Sequence, residues 1–330
     1  MKQLFSRQIR RLISFLVLLL ILIVTGLTFM QRTTQVPMIL LTTPAQIITP
    51  VYPYLNNSNA VKLTFLNSRP FYMHLLSNDI VSNSIARSRS WMSHQTKLIS
   101  LMLANSSSKP AVFLDIGANI GWFTLVMSVL GHKVIAIEPM LNNVKLMQAS
   151  LQASQTSHNV IVHPNGLGVI PQQCILYSDN GNIGDGHTIC GISSEKNINT
   201  LIPNGYSIRQ IINSTRLDTL VSQNIDVMKI DVEGSELYAV QSGNHLFDHY
   251  HVHNIISEFS PRMMRDKKSD PYEYLKFFIS RGYNIRMVND QLASLYEQNT
   301  WQTVTVYKSE QDLRRLCDGS GEMELWFTKN

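Results

Sequence analysis

The sequence has few charged residues for its length. Asp, Glu, Lys and Arg make up 15% of its 330 residues, and the formal net charge is +5. In the body of the chain no run of Lys and Arg alternates with aromatic side chains, the pattern typical of nucleic-acid-binding surfaces. The composition therefore does not indicate a nucleic-acid partner.

Cysteine is also scarce, with three residues in the whole chain. Their spacing does not match that of a zinc site. Cys174 and Cys190 lie 16 positions apart in a loop-rich region, where they could pair if the domain folds in an oxidising compartment. Cys317 would then be left unpaired. The sequence alone does not decide whether this pair forms.

One apolar run is long. Residues 12–30 are 19 positions without a charge, roughly 28 Å as a helix, against a bilayer core of about 30 Å. The run exceeds the apolar region of a typical cleavable signal peptide, and no Ala-x-Ala site follows. Basic residues precede it (Lys2, Arg7, Arg10 and Arg11), and only Arg32 follows closely. The positive-inside rule then keeps the N-terminus cytosolic. We expect a type II signal anchor; the alternative is a cleaved signal peptide.

This topology divides the chain into a cytosolic tail (1–11), a membrane anchor (12–30), a stem (31–60) and one domain (61–330). Thr33 to Ala60 contains no charge and four prolines, a composition that favours an extended spacer. Acceptor sequons for N-glycosylation begin at Asn56, Asn105 and Asn213. We therefore expect a glycoprotein whose domain lies in the lumen of the Golgi or endoplasmic reticulum, or outside the cell.

The most informative stretch runs from Ala111 to Pro139. An apolar run ends at Asp115, and Gly117, Asn119 and Gly121 follow at every second position. An apolar helical segment comes next, and then a β-branched run that ends at Glu138. Strand, glycine turn, helix, strand and acid form the nucleotide-binding half of a parallel α/β sheet.

The spacing of the glycine turn decides which nucleoside we expect. It differs from the G-x-G-x-x-G fingerprint of dinucleotide sites. Asp115 would repel a pyrophosphate but suits a ligand with an ammonium group, and Glu138 can accept the hydroxyls of a ribose. Gly117 and Gly121 free the backbone and allow close approach of a ligand. S-adenosylmethionine has the ribose and ammonium without a phosphate. The alternatives are a structural glycine turn and an NAD-type site.

A second group of polar residues follows later strands. Asp231 and Glu233 lie in the polar cluster that ends the predicted strand 227–234, two residues apart and so aimed alike if the strand persists there. Glu258 lies near the end of the strand His253 to Phe259. In such sheets ligands bind beyond the carboxyl ends of the strands. We interpret Tyr177 to Gly191, which contains His187, as a loop bordering the cleft. Asn165, after a third strand, is either an adenine contact or a simple turn residue.

These motifs resemble the FkbM-type S-adenosylmethionine-dependent methyltransferases. The resemblance covers about residues 110–290 and rests on DIGANIGWFT, AIEPM, RLD at 216–218, MKIDVEGSEL and IISEF. It implies a Rossmann-like class I methyltransferase fold: a seven-stranded, mostly parallel sheet with helices on both faces and an antiparallel last strand. It also implies O-methylation of a hydroxyl, often on a sugar or a polyketide. By position, the turn motif matches Asp115, Gly117, Asn119 and Gly121, the ribose acid is Glu138, and the later acidic strand end is Asp231, Glu233 and Gly234.

Methyl transfer to a hydroxyl requires alignment of the reactants and loss of a proton. The candidate bases are Asp231, Glu233, Glu258 and His187. The Asp231 and Glu233 pair is preferred because clustered carboxylates raise one another's pKa. Alternatively, these acids cap the next helix or hold Lys229. We expect no metal, because the Asp-Asn pair of metal-dependent O-methyltransferases is replaced here by Ser257-Glu258-Phe259.

Two hypotheses of function follow. The first is a membrane-anchored methyltransferase that uses S-adenosylmethionine to methylate a hydroxyl on a glycan or another acceptor of the secretory pathway. The second is a catalytically inactive binding module that keeps the methyltransferase fold. His249, His251 and His253 alternate as metal ligands on a strand would, but we interpret them as solvated residues.

Overall fold

The computed structural model describes residues 60–191 and 198–329. The predicted tail, the predicted anchor at 12–30 and nearly all of the predicted stem lie outside these residues. No helix within the described ranges is long and apolar enough to cross a membrane.

The strands and helices follow one another in an α/β order. The strands are β1 (Ala60–Leu63), β2 (Phe71–His74), β3 (Val112–Ile116), β4 (Lys133–Ile137), β5 (Val160–His163), β6 (Gly166–Leu167), β7 (Gln173–Asp179), β8 (His187–Cys190), β9 (Tyr206–Thr215), β10 (Ile225–Ile230), β11 (Val252–Phe259), β12 (Asn284–Met287) and β13 (Met323–Thr328). The helices are α1 (Ile80–Ser88), α2 (Ser93–Ala104), α3 (Trp122–Val129), α4 (Leu141–Ala153), α5 (Ile198–Leu201), α6 (Leu217–Leu220), α7 (Glu236–Gln241), α8 (Asn244–His249), α9 (Pro261–Asp266), α10 (Pro271–Ile279), α11 (Leu292–Glu297) and α12 (Glu310–Asp318).

Seven strands form the central sheet in the order β12-β13-β11-β10-β3-β4-β5. Four neighbouring pairs are parallel: β11 with β10, β10 with β3, β3 with β4, and β4 with β5. Strand β13 runs antiparallel to both of its neighbours, β11 and β12. This arrangement confirms the expected seven-stranded sheet with an antiparallel last strand. The strand predicted at 253–259 agrees with β11 to within one residue, whereas the strand predicted over 227–234 ends at Ile230.

The two faces of the sheet are covered by two separate hydrophobic cores. Neighbouring residues of one strand enter different cores: Phe113 packs into the first and Leu114 into the second, and Val227 and Met228 divide in the same way. Successive side chains of a strand point to opposite faces, so a strand covered on both sides is buried throughout. All six residues of β10 are buried for this reason, including the charged Asp226 and Lys229.

A second sheet, which the sequence did not lead us to expect, lies in the order β6-β9-β7-β8. The predicted loop at 177–191 is therefore wrong in part, because β7 and β8 form an antiparallel hairpin there. Cys174 lies directly opposite Cys190 across this hairpin, and the two form a disulfide. Cys317 is buried and free. Outside these sheets, Tyr307 forms a single antiparallel bridge with Ile285.

The glycine turn after β3 is required by contacts within the protein. Gly117 has a φ of +78°, and a Cβ there would lie 1.7 Å from the backbone oxygen of Asp231. Gly121 has a φ of +89°, and its Cβ would lie 2.5 Å from Cγ of Met147 on α4. We expected these glycines to make room for a ligand. Instead, the space that a side chain would fill is occupied by the loop after β10 and by α4.

We predict that Gly117→Ala destabilises the domain more than Gly131→Ala. Gly131 has a φ of +92° but no atom within 4 Å of its missing Cβ, so alanine there meets only backbone strain, about 1–2 kcal/mol. At Gly117 the clash with backbone adds an overpacking cost of about 1–3 kcal/mol or more. Urea unfolding of both variants measures the difference. Equal losses of stability would show that the turn has room to move.

Candidate active site

A cavity of about 690 Å³ lies at the carboxyl edge of the central sheet. It is lined by residues that follow β3, β4, β10 and β11, together with Thr188 and its neighbours from the second sheet. Clefts of this volume, with a few polar groups among apolar walls, are typical of small-molecule sites. Polar residues at the ends of these strands therefore meet in one cavity.

Glu138 lies at the end of β4, is 6% exposed and lines the cavity. Its carboxylate accepts hydrogen bonds from the backbone N–H groups of Asn119 and Met140, each at 2.8 Å, and from Nδ2 of Asn143 at 3.4 Å. Burial raises the pKa of Glu138 to about 7, against the opposing effect of these donors. A carboxylate has about four acceptor positions, so this one can still accept a hydroxyl of a ligand.

Of the other predicted cofactor contacts, Gly117, Asn119 and Asn165 line the cavity, whereas Asp115 and Gly121 are not among its lining residues. Asp115 is completely buried in β3, and its Oδ2 accepts from the backbone N–H and the Oγ1 of Thr124 at 3.1 and 2.6 Å. These bonds hold the first turn of α3. Its Oδ1 is buried without a hydrogen-bond partner. Burial also raises the pKa of Asp115, and Lys229 opposes this rise.

The four candidate bases lie together in the structure. One carboxylate oxygen each of Asp231, Glu233 and Glu258 lie within 4.8 Å of one another. The same holds for a ring nitrogen of His187 and one carboxylate oxygen each of Asp185 and Glu233. Glu233 belongs to both groups. The sequence did not single out Asp185, because only the β7–β8 hairpin brings it to the end of β10.

A turn brings Asp231 and Glu233 to the same cavity, contrary to our expectation of a continuing strand. β10 ends at Ile230, and Glu233 and Gly234 both have positive φ angles, +55° and +87°. The alternative in which Asp231 and Glu233 cap the next helix stays a prediction; a different acid, Glu236, holds the turn, because its Oε1 accepts from the backbone N–H groups of Val232 and Gly234. The alternative in which they hold Lys229 applies to Asp231.

The acids of the cluster raise one another's pKa. Burial and the charges of Asp185 and Asp231 raise the pKa of Glu233 to about 11. Burial and the charge of Asp231 raise that of Glu258 to about 10 and that of Glu324 to about 8. At neutral pH, Glu233 and Glu258 therefore carry protons in the ligand-free protein and can donate hydrogen bonds.

Lys229 is the buried cation next to this cluster. Its Nζ lies 3.0 Å from Oδ2 of Asp231. Burial acts against the charge of Lys229, but the carboxylates of Asp231 and Asp115 outweigh it and raise the pKa. The lysine remains charged and offsets part of the negative charge of the cavity.

His187 is the uncharged base of the group. Burial lowers its pKa, so the imidazole is neutral at pH 7 and has a nitrogen free to take a proton. Its Nε2 lies 3.7 Å from Oδ2 of Asp185, close enough for the carboxylate to stabilise an imidazolium. The ring of Tyr177 lies 5.6 Å from that of His187.

The alternating histidines do not form a comparable group. His249 stacks on His245 with ring centroids 4.0 Å apart, and His251 stacks on His253 at 5.8 Å. Neither pair belongs to a potential metal-binding group within the described ranges.

Comparison with known proteins gives one match of sequence and several of structure. The family model described as the methyltransferase FkbM domain matches residues 115–285. No curated protein matches the chain.

The solved structures include an O-methyltransferase from Bacillus cereus in complex with SAH, with 9% identity, a TM-score of 0.39, and coverage of 76% of this chain and 87% of that one. They also include a putative O-methyltransferase from Klebsiella pneumoniae, with 10% identity, a TM-score of 0.37, and coverage of 74% and 84%. These scores are too low to bear on the function.

We predict that the domain becomes less stable as pH rises from 5.5 to 8.5. Glu233 and Glu258 ionise near their ordinary value of about 4.5 when unfolded but hold protons to about 11 and 10 when folded. The folded state therefore binds more protons over this range, and its stability falls with pH. Each such acid contributes up to about 1.4 kcal/mol per pH unit. Urea unfolding at several pH values measures the slope.

Glu233→Gln should flatten this dependence, and Glu297→Gln should leave it unchanged. Glu297 is an exposed acid that pairs with Lys97 at 2.7 Å, outside the cavity. An unchanged slope in Glu233→Gln would mean that Glu233 is ionised in the folded protein.

Proposed function

Because this chain belongs to the FkbM methyltransferase family, whose model matches residues 115–285, we propose that it methylates a hydroxyl oxygen on a glycan or another acceptor of the secretory pathway. Membership of the family makes it an S-adenosylmethionine-dependent methyltransferase. One observation carries the choice of a hydroxyl acceptor: a single cavity is lined both by Glu138, the proposed ribose acid, and by a cluster of hydrogen-bonding carboxyl groups, Asp231, Glu233 and Glu258. A module that only bound the cofactor would not need the acids Asp231, Glu233 and Glu258.

The residues present fit this cofactor. Glu138 has unused acceptor capacity for a ribose hydroxyl, and Asn119 and Asn165 line the same cavity. The buried, unpartnered Oδ1 of Asp115 supplies an acceptor next to the glycine turn. When bound, S-adenosylmethionine supplies an electrophilic methyl group on a positively charged sulfur.

The protein must orient the acceptor hydroxyl and remove its proton. Glu233 and Glu258, protonated at neutral pH, can donate hydrogen bonds to acceptor oxygens. We assign the proton to a ring nitrogen of His187, which is neutral and, although it is not itself among the lining residues, lies 3.7 Å from Asp185, which lines the cavity. The sequence favoured Asp231 and Glu233 as the base. The proton already on Glu233 and the ion pair of Asp231 with Lys229 support His187 in their place.

We predict that Glu138→Gln and His187→Gln affect different steps. Glu138 contacts the ribose equally in ground and transition states, so its replacement should raise the cofactor Kd and leave the single-turnover rate at saturation nearly unchanged. Loss of a general base typically costs about 10²–10⁴-fold in rate, so His187→Gln should slow methyl transfer and leave the Kd intact. Calorimetry and single-turnover transfer of labelled methyl measure the two quantities.

Three further variants complete this comparison. Exposed His253 provides the matched control, since His253→Gln should change neither quantity. Asp231→Asn and Glu233→Gln test the alternative base. A normal rate in His187→Gln with a lost rate in Asp231→Asn would transfer the role to Asp231. Cofactor binding without methyl transfer to any acceptor would favour the inactive binding module.

We also propose that the domain is membrane-anchored and lumenal or extracellular, the anchor being residues 12–30. The charge asymmetry around that run supports the orientation, and the Cys174–Cys190 disulfide fits an oxidising compartment. Asn105 and Asn213, which begin two of the sequons, are exposed.

In cells with a secretory pathway, we expect the protein to gain mass that an N-glycosidase removes. Asn105→Gln and Asn213→Gln should each reduce this gain if both sites are used, and Asn56→Gln tests the third sequon. In intact microsomes the domain should resist added protease until detergent is present. Digestion without detergent would overturn the proposed orientation.

A further inference from the structure

The cavity is acidic, although the chain as a whole carries a net charge of +5. Besides Glu138, six acids line it: Asp185, Asp231, Glu233, Glu258, Glu322 and Glu324. Lys229 is the one basic residue among the described residues of the lining. The part of the molecule that meets the acceptor therefore has a charge opposite in sign to that of the whole protein.

The nearby cations are already engaged. Nζ of Lys229 lies 3.0 Å from Asp231, and the charges of Asp115 and Glu324 also act on it. Lys267 lies behind the β7–β8 hairpin, where its Nζ donates to the backbone oxygen of Thr188 at 3.1 Å. Neither ammonium is free to neutralise an anionic group of an acceptor.

The acids also limit how much negative charge the cavity can hold. Their mutual repulsion and their burial keep protons on Glu233 and Glu258 at neutral pH. An acceptor that carries a carboxylate, phosphate or sulfate would add negative charge to a site in which two acids are already protonated. Binding of such an anionic acceptor is therefore disfavoured. A cationic acceptor is disfavoured for a different reason, because the methyl donor itself brings a positive charge into the same cavity.

Resting on the methyltransferase function above, we propose that the acceptor is an uncharged polyhydroxyl compound, such as a neutral glycoside, and that an anionic group beside the acceptor hydroxyl prevents methylation. A sugar hydroxyl both donates and accepts hydrogen bonds. The carboxylate oxygens of Asp231, one of which pairs with Lys229, can accept such bonds, and protonated Glu233 and Glu258 donate them. Half-buried Trp91, which also lines the cavity, adds an apolar wall for the carbon skeleton, as is usual in small-molecule sites.

The test uses matched glycans and the full-length protein in detergent. Neutral oligosaccharides with terminal hexoses are compared with the same oligosaccharides carrying a uronic acid, sialic acid, sulfate or amino sugar. Each is incubated with tritium-labelled S-adenosylmethionine. We expect label on neutral glycans at least about 100-fold above their anionic counterparts, since like-charge contacts across a binding site strongly disfavour the wrong partner.

A charge variant tests the cause of this selectivity. Glu322 is exposed, lines the cavity and has no assigned part in the transfer. Glu322→Lys should raise the ratio of labelling of anionic to neutral glycans about 5–10-fold. Glu322→Gln, the matched control, should have a smaller effect in the same direction. An unchanged ratio in Glu322→Lys would overturn the electrostatic explanation.

The remaining outcomes separate this inference from the proposed function. Equal or preferred labelling of anionic glycans, or preferred labelling of amino sugars, would overturn the inference and leave the methyltransferase function intact. Cofactor binding without label on any glycan would overturn the neutral glycoside as acceptor. Failure to bind S-adenosylmethionine by calorimetry would overturn the proposed function itself.

Discussion

The contact between the turn after β3 and the loop after β10 is the constraint on which the cavity depends. These strands are neighbours in the sheet, and the backbone N–H of Asp231 donates to the oxygen of Ile116 at 3.0 Å. The absence of a side chain at Gly117 lets the two loops touch. Glu138 and the acid cluster line the same cavity.

Burial of the acid cluster in the cavity lowers the stability of the folded domain. Burial of Glu233, Glu258 and Glu324 disfavours their charged forms, and mutual repulsion adds to this penalty. The two cores on either face of the sheet, which bury most of the large apolar side chains, offset that cost. Clusters of strongly shifted groups in a cleft are characteristic of functional sites, and the hydrogen-bond capacity of these acids is what an acceptor hydroxyl requires.

The second sheet completes the cavity with groups that the central sheet does not have. Its β7–β8 hairpin supplies Asp185 and Thr188 to the lining, and the disulfide between Cys174 and Cys190 joins the two strands of that hairpin. The cross-link restrains the strand that begins at His187. The ends of β3 and β4 supply the predicted cofactor contacts Gly117, Asn119 and Glu138 to the same cavity. Variation in such a hairpin can change the acceptor without changing the cofactor site.

The local pattern of the sequence was sufficient to predict the central sheet, the glycine turn and the position of Glu138 at the end of β4. The apolar run at residues 134–137 of β4 and the acid that follows this strand are signals carried by adjacent residues. The second sheet could not be predicted in this way, because its glycines and polar residues hide the strand alternation. Asp185 and Lys229 acquire their roles through contacts between segments distant in the chain. The raised pKa of Glu233, and the neutral state of His187, arise from burial and from charges on other elements, which only the tertiary structure brings together.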